Sequence, residues 1–394
     1  MPPDNGETGA DMGRRVLRAV VVAATTGVWV GLLTPTAAQA AVACGQTITS
    51  SVTLDHHLNC PAGNGIFIGA SNVVLDLGGH SITGPAPTGT SGVGVRGVIV
   101  TQNRTGVTVR NGVIRGFDTG VDVHPGANST SVTGLILDGN GGGIRVSTGT
   151  SSNRFTGNTI VNTTRFSGMQ VGGNGHVIED NSLNNVNGTG VFLSGSNNVI
   201  RNNRLNGMGA AGIAVGAFPS NPGPFVGNQV IGNQVSGSSR VFNSSSISLS
   251  AGSGTLIHGN TVNGRRTTPG VFVLDSANTV VSGNSLTSNS SGVLIRGAST
   301  GTRVTGNQAT TSNFAGIAVE NAPTGTLVAD NMAANNGGNG IDVRNAATTI
   351  TRNTAVSNGN LGIFAVNGVT DGGGNRAFAN ANPAQCSPSI VCTS

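Results

Sequence analysis

The chain has 394 residues, with 64 Gly, 12 Phe, one Trp and no Tyr, and its 20 basic residues, all Arg, exceed 15 acidic ones for a net charge of +5. With only 14 Pro and no strict Gly-X-Y period it is not collagen, and so few large rings exclude a globular core built on aromatics. Apolar residues that are β-branched or Leu and recur at fixed phase exclude disorder, while the modest charge fits an anionic polymer as partner or solubility alone.

Residues 1–40 carry the marks of an export signal. Arg14, Arg15 and Arg18 precede an apolar run from Ala19 to Leu33, and Ala38-Gln39-Ala40 is an A-x-A site, so cleavage is expected after Ala40 and the mature chain is expected to be secreted. Asp4, Glu7 and Asp11 make the first residues acidic for such a signal, which points to Met12 as an alternative start. Arg14-Arg15 weakly resembles a twin-Arg signal. Lipid attachment at Cys44 ranks second to secretion, because Ala41 stands where such a box has Leu. No later segment approaches the roughly 20 apolar residues of a membrane span, so no membrane association is expected after cleavage. Nothing resembles a nucleic-acid module.

Residues 41–70 and 376–394 are expected to be N- and C-terminal caps. They hold the four Cys, as Cys44 with Cys60 and Cys386 with Cys392. An even number of Cys in an exported chain reads as disulfides. Four Cys allow three pairings, and the two local ones are favoured because each closes a short loop. A metal site in their place lacks ligands beyond His56 and His57.

Residues 71–375 are repetitive. A dipeptide ending in Asn recurs at Asn158, Asn181, Asn203, Asn233, Asn260, Asn284, Asn307, Asn331, Asn353 and Asn375, in steps of 22 to 30 residues. Between these marks lie Gly-led alternating strands such as Gly143-Ile144-Arg145-Val146 and Gly316-Ile317-Ala318-Val319. Short repeats with period-2 alternation, turn-rich joints and no helical periodicity predict a solenoid of stacked β coils. About a dozen coils at the ~4.8 Å strand spacing make a rod of roughly 60 Å. The repeated Asn is expected at a sharp left-handed corner, with its side chains stacking as an amide ladder. Leu135 replaces it in one coil.

Alternation also assigns faces. One outward column is expected to run Phe67, Ile99, Asp122, Arg145, Gln170, Phe192, Ala214, Ser248, Phe272, Leu294, Ala318, Asp342, Phe364. A second, two residues on, begins His124, Ser147, Gly172, Ser194 and ends Leu274, Arg296, Glu320, Arg344.

The Gly-Ile-x-Val strands, the Asn corners and the segment Asn72-Val73-Val74-Leu75-Asp76-Leu77-Gly78-Gly79-His80-Ser81-Ile82 resemble the right-handed parallel β-helix proteins of the pectate-lyase-like superfamily. The resemblance spans nearly all of residues 45–380 and implies an all-β, single-stranded parallel β-helix. It leaves function open, because that superfamily includes polysaccharide lyases, hydrolases, epimerases and phage tailspikes, and function has to be argued from a site.

Asp122, His124, Arg145 and Gln170 form the sharpest polar group, on three consecutive coils. A carboxylate, an imidazole and a guanidinium can act as base, acid and charge neutraliser on a uronate. Superfamily members acting on acidic polysaccharides use this sheet face. Asp122-Val123-His124-Pro125 resembles the Asp-Pro-His-Asp motif of mannuronan epimerases, with Val123 in place of Pro and Pro125 in place of the final Asp. A bland alternative is a surface salt bridge between Asp122 and Arg145. Arg296, Glu320 and Arg344 read as a cross-strand charge ladder.

Outward-facing Phe192 and Phe272 suit sugar faces. Longer joints nearby carry Phe218, Phe225, Arg240, Phe242, Arg265 and Arg266, which are expected either to wall a groove or to bury the two rings as a satellite core. Scattered carboxylates give neither a calcium cluster nor the paired acids of a β-helix hydrolase, and five Met with six scattered His give no copper site. No metal or cofactor is therefore expected. The combined expectation is a secreted rod that binds an extracellular, acidic polysaccharide, with a metal-independent lyase or epimerase using Asp122, His124 and Arg145 as the alternative.

Overall fold

The computed structural model describes residues 41–394 apart from 89–93, 217–222, 224, 239–244 and 322–323. The expected signal peptide 1–40, together with Phe218, Arg240 and Phe242, lies outside the described residues. The described residues form β-strands and no helix, so none is long and apolar enough to cross a membrane.

Most coils contribute three short strands. In one these are Met169–Gly172, Val177–Glu179 and Ser182–Val186, and each pairs in parallel with its counterpart one coil on, Val191–Ser194, Val199–Arg201 and Arg204–Asn206. In two other coils Thr108–Arg115 and Ser131–Asp138 each run through two of the three positions. Fourteen strands stack in the sheet that carries the outward column. The ladder starts at Thr47–Ile48, inside the segment expected to be a cap, and this adds a rung to the thirteen column positions.

The register follows the alternation. Phe67 pairs with Ile99, Ile99 with Asp122, Asp122 with Arg145, Arg145 with Gln170, and so on to Asp342 with Phe364. Between these positions Val121, Ile144, Met169, Val191 and Ile213 point inward and are fully buried, as are their equivalents along the rod. Each such side chain contributes about 1.5–3 kcal/mol on burial. A single coil has no interior of its own, so this apolar column is sealed only by stacking.

The repeated Asn forms one continuous ladder. Asn158 Nδ2 donates to Asn181 Oδ1 at 3.0 Å, Asn181 to Asn203 at 2.9 Å, and the chain of bonds runs unbroken to Asn375. Each Oδ1 also accepts a backbone N–H from the coil before, as Asn284 does from Asn260 at 2.9 Å. The left-handed corner, however, is not at the Asn. It falls on the residue before, such as Gly157, Asp180, Asn202 and Arg352, with φ between 52° and 64°. The dipeptide thus divides the work: its first residue turns the backbone, and its buried second residue satisfies the corner's backbone groups. Leu135 heads the ladder, where its N–H reaches Asn158 Oδ1 at 3.1 Å and no earlier Asn needs its side chain.

Both local disulfides form, Cys44–Cys60 and Cys386–Cys392. Cys44 is thereby engaged through its sulfur, the atom a lipid anchor would need. At the far end the C-terminal segment closes over the last coil, where Ser387 Oγ accepts the Ala365 N–H at 2.9 Å and Cys386 and Ile390 join the core.

Candidate functional site

Asp122 lies on the strand Thr119–Val123, between Ile99 of the coil before and Arg145 of the coil after. Its side chain has 0% exposure, so it is not the surface ion pair that exposed charges usually make. Three basic side chains converge on Oδ2. Arg145 Nη1 and His124 Nε2 each lie 3.4 Å away, and Arg96 Nε donates to the same oxygen. Oδ1 is buried without a partner.

Burial is the largest influence on this carboxyl and pushes its pKa up. The hydrogen bond from His124 and the charges of Arg145 and Arg96 outweigh it together, and the pKa is held below the ordinary carboxylate value. Asp122 is therefore an anion at neutral pH, sunk beneath two guanidinium groups. Arg145 is 38% exposed and turns its guanidinium outward beside the cavity, which Asp118 also lines.

The cluster borders a cavity of about 250 Å³ lined by Arg96, Asp118, Thr119, Arg145, Phe166 and Gln170. A second hollow of about 320 Å³ lies on the other side of Arg145 and Gln170, against Pro125 and Ser147. The structure thus brings Asp122, His124, Arg145 and Gln170 together, as their column positions imply.

Arg96 and Asp118 escaped the sequence reading. Arg96 pairs in register with Thr119, and Thr119 with Gly142. These residues precede the leading Gly of their strands, and with Ser167 they line the cavity. A third column, read just before each strand Gly, would have found them. Another signal was the step from Phe67 to Ile99, at 32 residues against 23 for the next. Asp118, also buried, accepts the N–H of Thr88 on Oδ1 at 3.0 Å and of Val95 on Oδ2 at 2.9 Å. It thereby holds the chain that enters Arg96, whose Nη1 donates to the Gly94 carbonyl at 3.0 Å. A Cβ at Gly94 would lie 2.0 Å from Asp118 Oδ2, so only Gly fits there.

The expected aromatic groove is laid out differently. Phe192 follows Gln170 in the column, and Ala214 and Ser248 separate it from Phe272. Phe272 is half-buried against Leu294, Ala315 and Ala318, a small satellite core, and it also lines a separate hollow of about 520 Å³. Arg265 and Arg266 are exposed beside this hollow without lining it, and Arg265 Nε donates to the Gly237 carbonyl at 2.9 Å. Phe225, from the longer joint before it, is buried outside the main core, on a separate two-stranded pairing with Gly252.

The expected charge ladder stops after one rung. Arg296 Nε binds Glu320 Oε2 at 2.8 Å, whereas Arg344 Nε turns back to Asp342 of its own strand at 2.9 Å. Among the described residues no group of three or more His, Cys, Asp or Glu is placed to hold a metal ion.

A family model described as "Right handed beta helix region" matches residues 44–220, 96–262, 165–309 and 225–377. The chain belongs to this family. No curated protein matches it in sequence. Right-handed β-helix structures that it resembles include DFA-IIIase from Arthrobacter chlorophenolicus A6 without its lid, 15% identical over 70% of this chain and 75% of that one, with a TM-score of 0.52. The same enzyme in complex with GF2 is 16% identical over 67% and 70%, with a TM-score of 0.50. The A-module of the mannuronan C-5 epimerase AlgE4 from Azotobacter vinelandii is 16% identical over 75% and 89%, with a TM-score of 0.47. At these identities the likeness is one of fold.

Proposed function

We propose that this right-handed β-helix protein is exported and binds an acidic polysaccharide in the cleft over Asp122. The observation that carries this reading is the burial of Asp122 beneath Arg96, Arg145 and His124, with one oxygen unpartnered. A buried charge that lacks full pairing costs stability, so such clusters concentrate at functional sites. Here the carboxylate fixes two guanidinium groups, and the exposed Arg145 guanidinium beside the cavity suits a uronate carboxylate. The two disulfides support an oxidising compartment. Affinity electrophoresis of residues 41–394 in gels containing polygalacturonate or alginate tests the proposal. Wild type should be retarded and Arg145→Ala should not. Equal mobility of the two proteins in every such gel would sink it.

A second reading, a metal-independent lyase or epimerase, rests on His124. Its imidazole is half-buried with Nε2 3.4 Å from Asp122. In that reading His124 takes the proton next to the uronate carboxylate, Asp122 orients the ring, and Arg145 and Arg96 stabilise the charge that develops. An epimerase returns a solvent proton to that carbon from the opposite face, so heavy water would place deuterium in the sugar. A lyase instead breaks the bond to the glycosidic oxygen, which takes up a proton, and leaves an unsaturated, ultraviolet-absorbing chain end. Neither signal above that of His124→Ala would leave binding alone.

A further inference from the structure

The same sheet face carries a second hollow whose chemistry differs from that of the Asp122 cleft. Five rungs lead from Arg145 through Gln170, Phe192, Ala214 and Ser248 to Phe272, about 24 Å at the ~4.8 Å rung spacing. Phe272 and Leu294 form the floor of the hollow of about 520 Å³, and Phe314 stands at its edge. Past Phe314 and Glu320 it continues into a depression of about 300 Å³ over Ala318 and Asp342.

Three observations point to a ligand. Phe314 is 67% exposed, the most exposed Phe among the described residues, and is not part of the satellite core beneath it. Its backbone is nevertheless held on an ordered rung, with its N–H donating to Ser290 O at 2.8 Å and its carbonyl accepting from Gly338 N at 2.9 Å. The ring is therefore presented by a fixed rung of the stack. Second, the trough is electrically balanced, because Arg296 is paired with Glu320 and Arg344 with Asp342. Third, Thr267, Ser290 and Ser291 bring hydroxyls to the lining beside the apolar floor.

From these we infer that the trough is a second carbohydrate site, which takes an uncharged pyranose ring stacked on Phe314 and Phe272. A sugar ring offers an apolar C–H face to an aromatic ring and hydroxyls to Thr267, Ser291 and the Arg296–Glu320 pair. Each guanidinium beside the trough has a carboxylate of its own, whereas Arg145 shares Asp122 with Arg96 and His124, so a uronate gains less in the trough than in the Asp122 cleft. The inference shares with the proposed function only the assumption that the ligand is a polysaccharide.

Residues 41–394 would be run in affinity gels containing soluble neutral glucan, mannan or galactan, beside gels with polygalacturonate. At least one neutral polymer should retard the wild type, and added salt should not release it. Phe314→Ala should weaken that retardation roughly tenfold. Phe314→Trp should keep it, and Arg145→Ala should leave it unchanged. Loss of polygalacturonate binding alone would count against the Asp122 cleft and not against the trough. The trough is refuted if no neutral polymer retards the wild type, or if Phe314→Ala binds as the wild type does while circular dichroism shows both folded.

Discussion

His176 Nδ1 accepts the backbone N–H of Asn153 at 3.0 Å, taking the role that the Asn198 carbonyl oxygen plays one coil on for the N–H of His176 at 2.8 Å. A histidine ring thus substitutes for an amide in a second buried corner column. Because Nδ1 accepts, the proton sits on Nε2, 3.0 Å from the Gly172 carbonyl. Protonating Nδ1 would set two donors against each other in a fully buried site.

Acid should therefore loosen the rod before its carboxylates titrate. Burial pushes the His176 pKa from 6.5 down to about 4, against a smaller opposing effect of the Gly172 hydrogen bond. The unfolded chain binds the proton first, so stability is full above about pH 6.5 and falls as pH drops toward 4, by roughly 3 kcal/mol in all. Urea denaturation from pH 7 to 4 would measure it. His176→Asn, which keeps a side-chain acceptor for Asn153, should flatten the slope, and an unchanged slope would assign the acid sensitivity elsewhere.

The Asn ladder predicts a strongly position-dependent substitution. Asn260→Leu in mid-ladder removes the acceptor used by both the N–H and Nδ2 of Asn233; Nδ2 keeps the Ile200 and Ile231 carbonyls, but the buried N–H is left unpaired. At about 1–3 kcal/mol for an unsatisfied group, the loss should reach at least that range. The same residue type at Leu135 is tolerated, so Leu135→Asn should change stability little. Chemical denaturation of the two variants makes the comparison directly.

Binding at the Asp122 cleft should depend on salt and, because Asp122 stays ionised, vary little with pH above the ordinary carboxylate range. Exposed guanidinium contacts are screened as ionic strength rises, so polyuronate retention should fall between low and physiological salt. The lowered pKa of Asp122 keeps it ionised above the ordinary carboxylate range, and its stabilising contribution is lost only as pH falls through that depressed value. Asp122→Asn should therefore lower both stability and retention at neutral pH, because Arg96 and Arg145 lose the anion that fixes them. Retention like that of the wild type in this variant would show that the guanidinium groups need no such anchor.

The C-terminal disulfide closes a loop with a sequence separation of 6 residues. Replacing Cys386 and Cys392 together by Ser should cost about 2 kcal/mol by loop entropy. The effect should concentrate at the last coils, where Ile363 and Ala365 are covered by this segment. Hydrogen exchange should quicken there and stay unchanged around Asp122, since a stacked array opens from its ends.

Much of this molecule is decided locally. A period of two within strands and a near-constant coil length leave one register that buries Val121, Ile144 and Met169, so the outward column from Phe67 to Phe364 was legible residue by residue. The local cysteine pairs followed from loop length. The depth of each outward side chain depends on neighbours that alternation does not specify. Asp122 and Phe364 share a column, yet only Asp122 is sealed, because Arg96 reaches it from the preceding coil and Asp118 holds the chain that brings Arg96 there. The choice of partner by Arg344, for Asp342 over Glu320, lies in a flexible side chain with two carboxylates to choose between. Periodicity in the sequence determines which face a residue occupies. Packing between coils decides whether that residue is solvated, paired or buried, and hence where chemistry becomes possible.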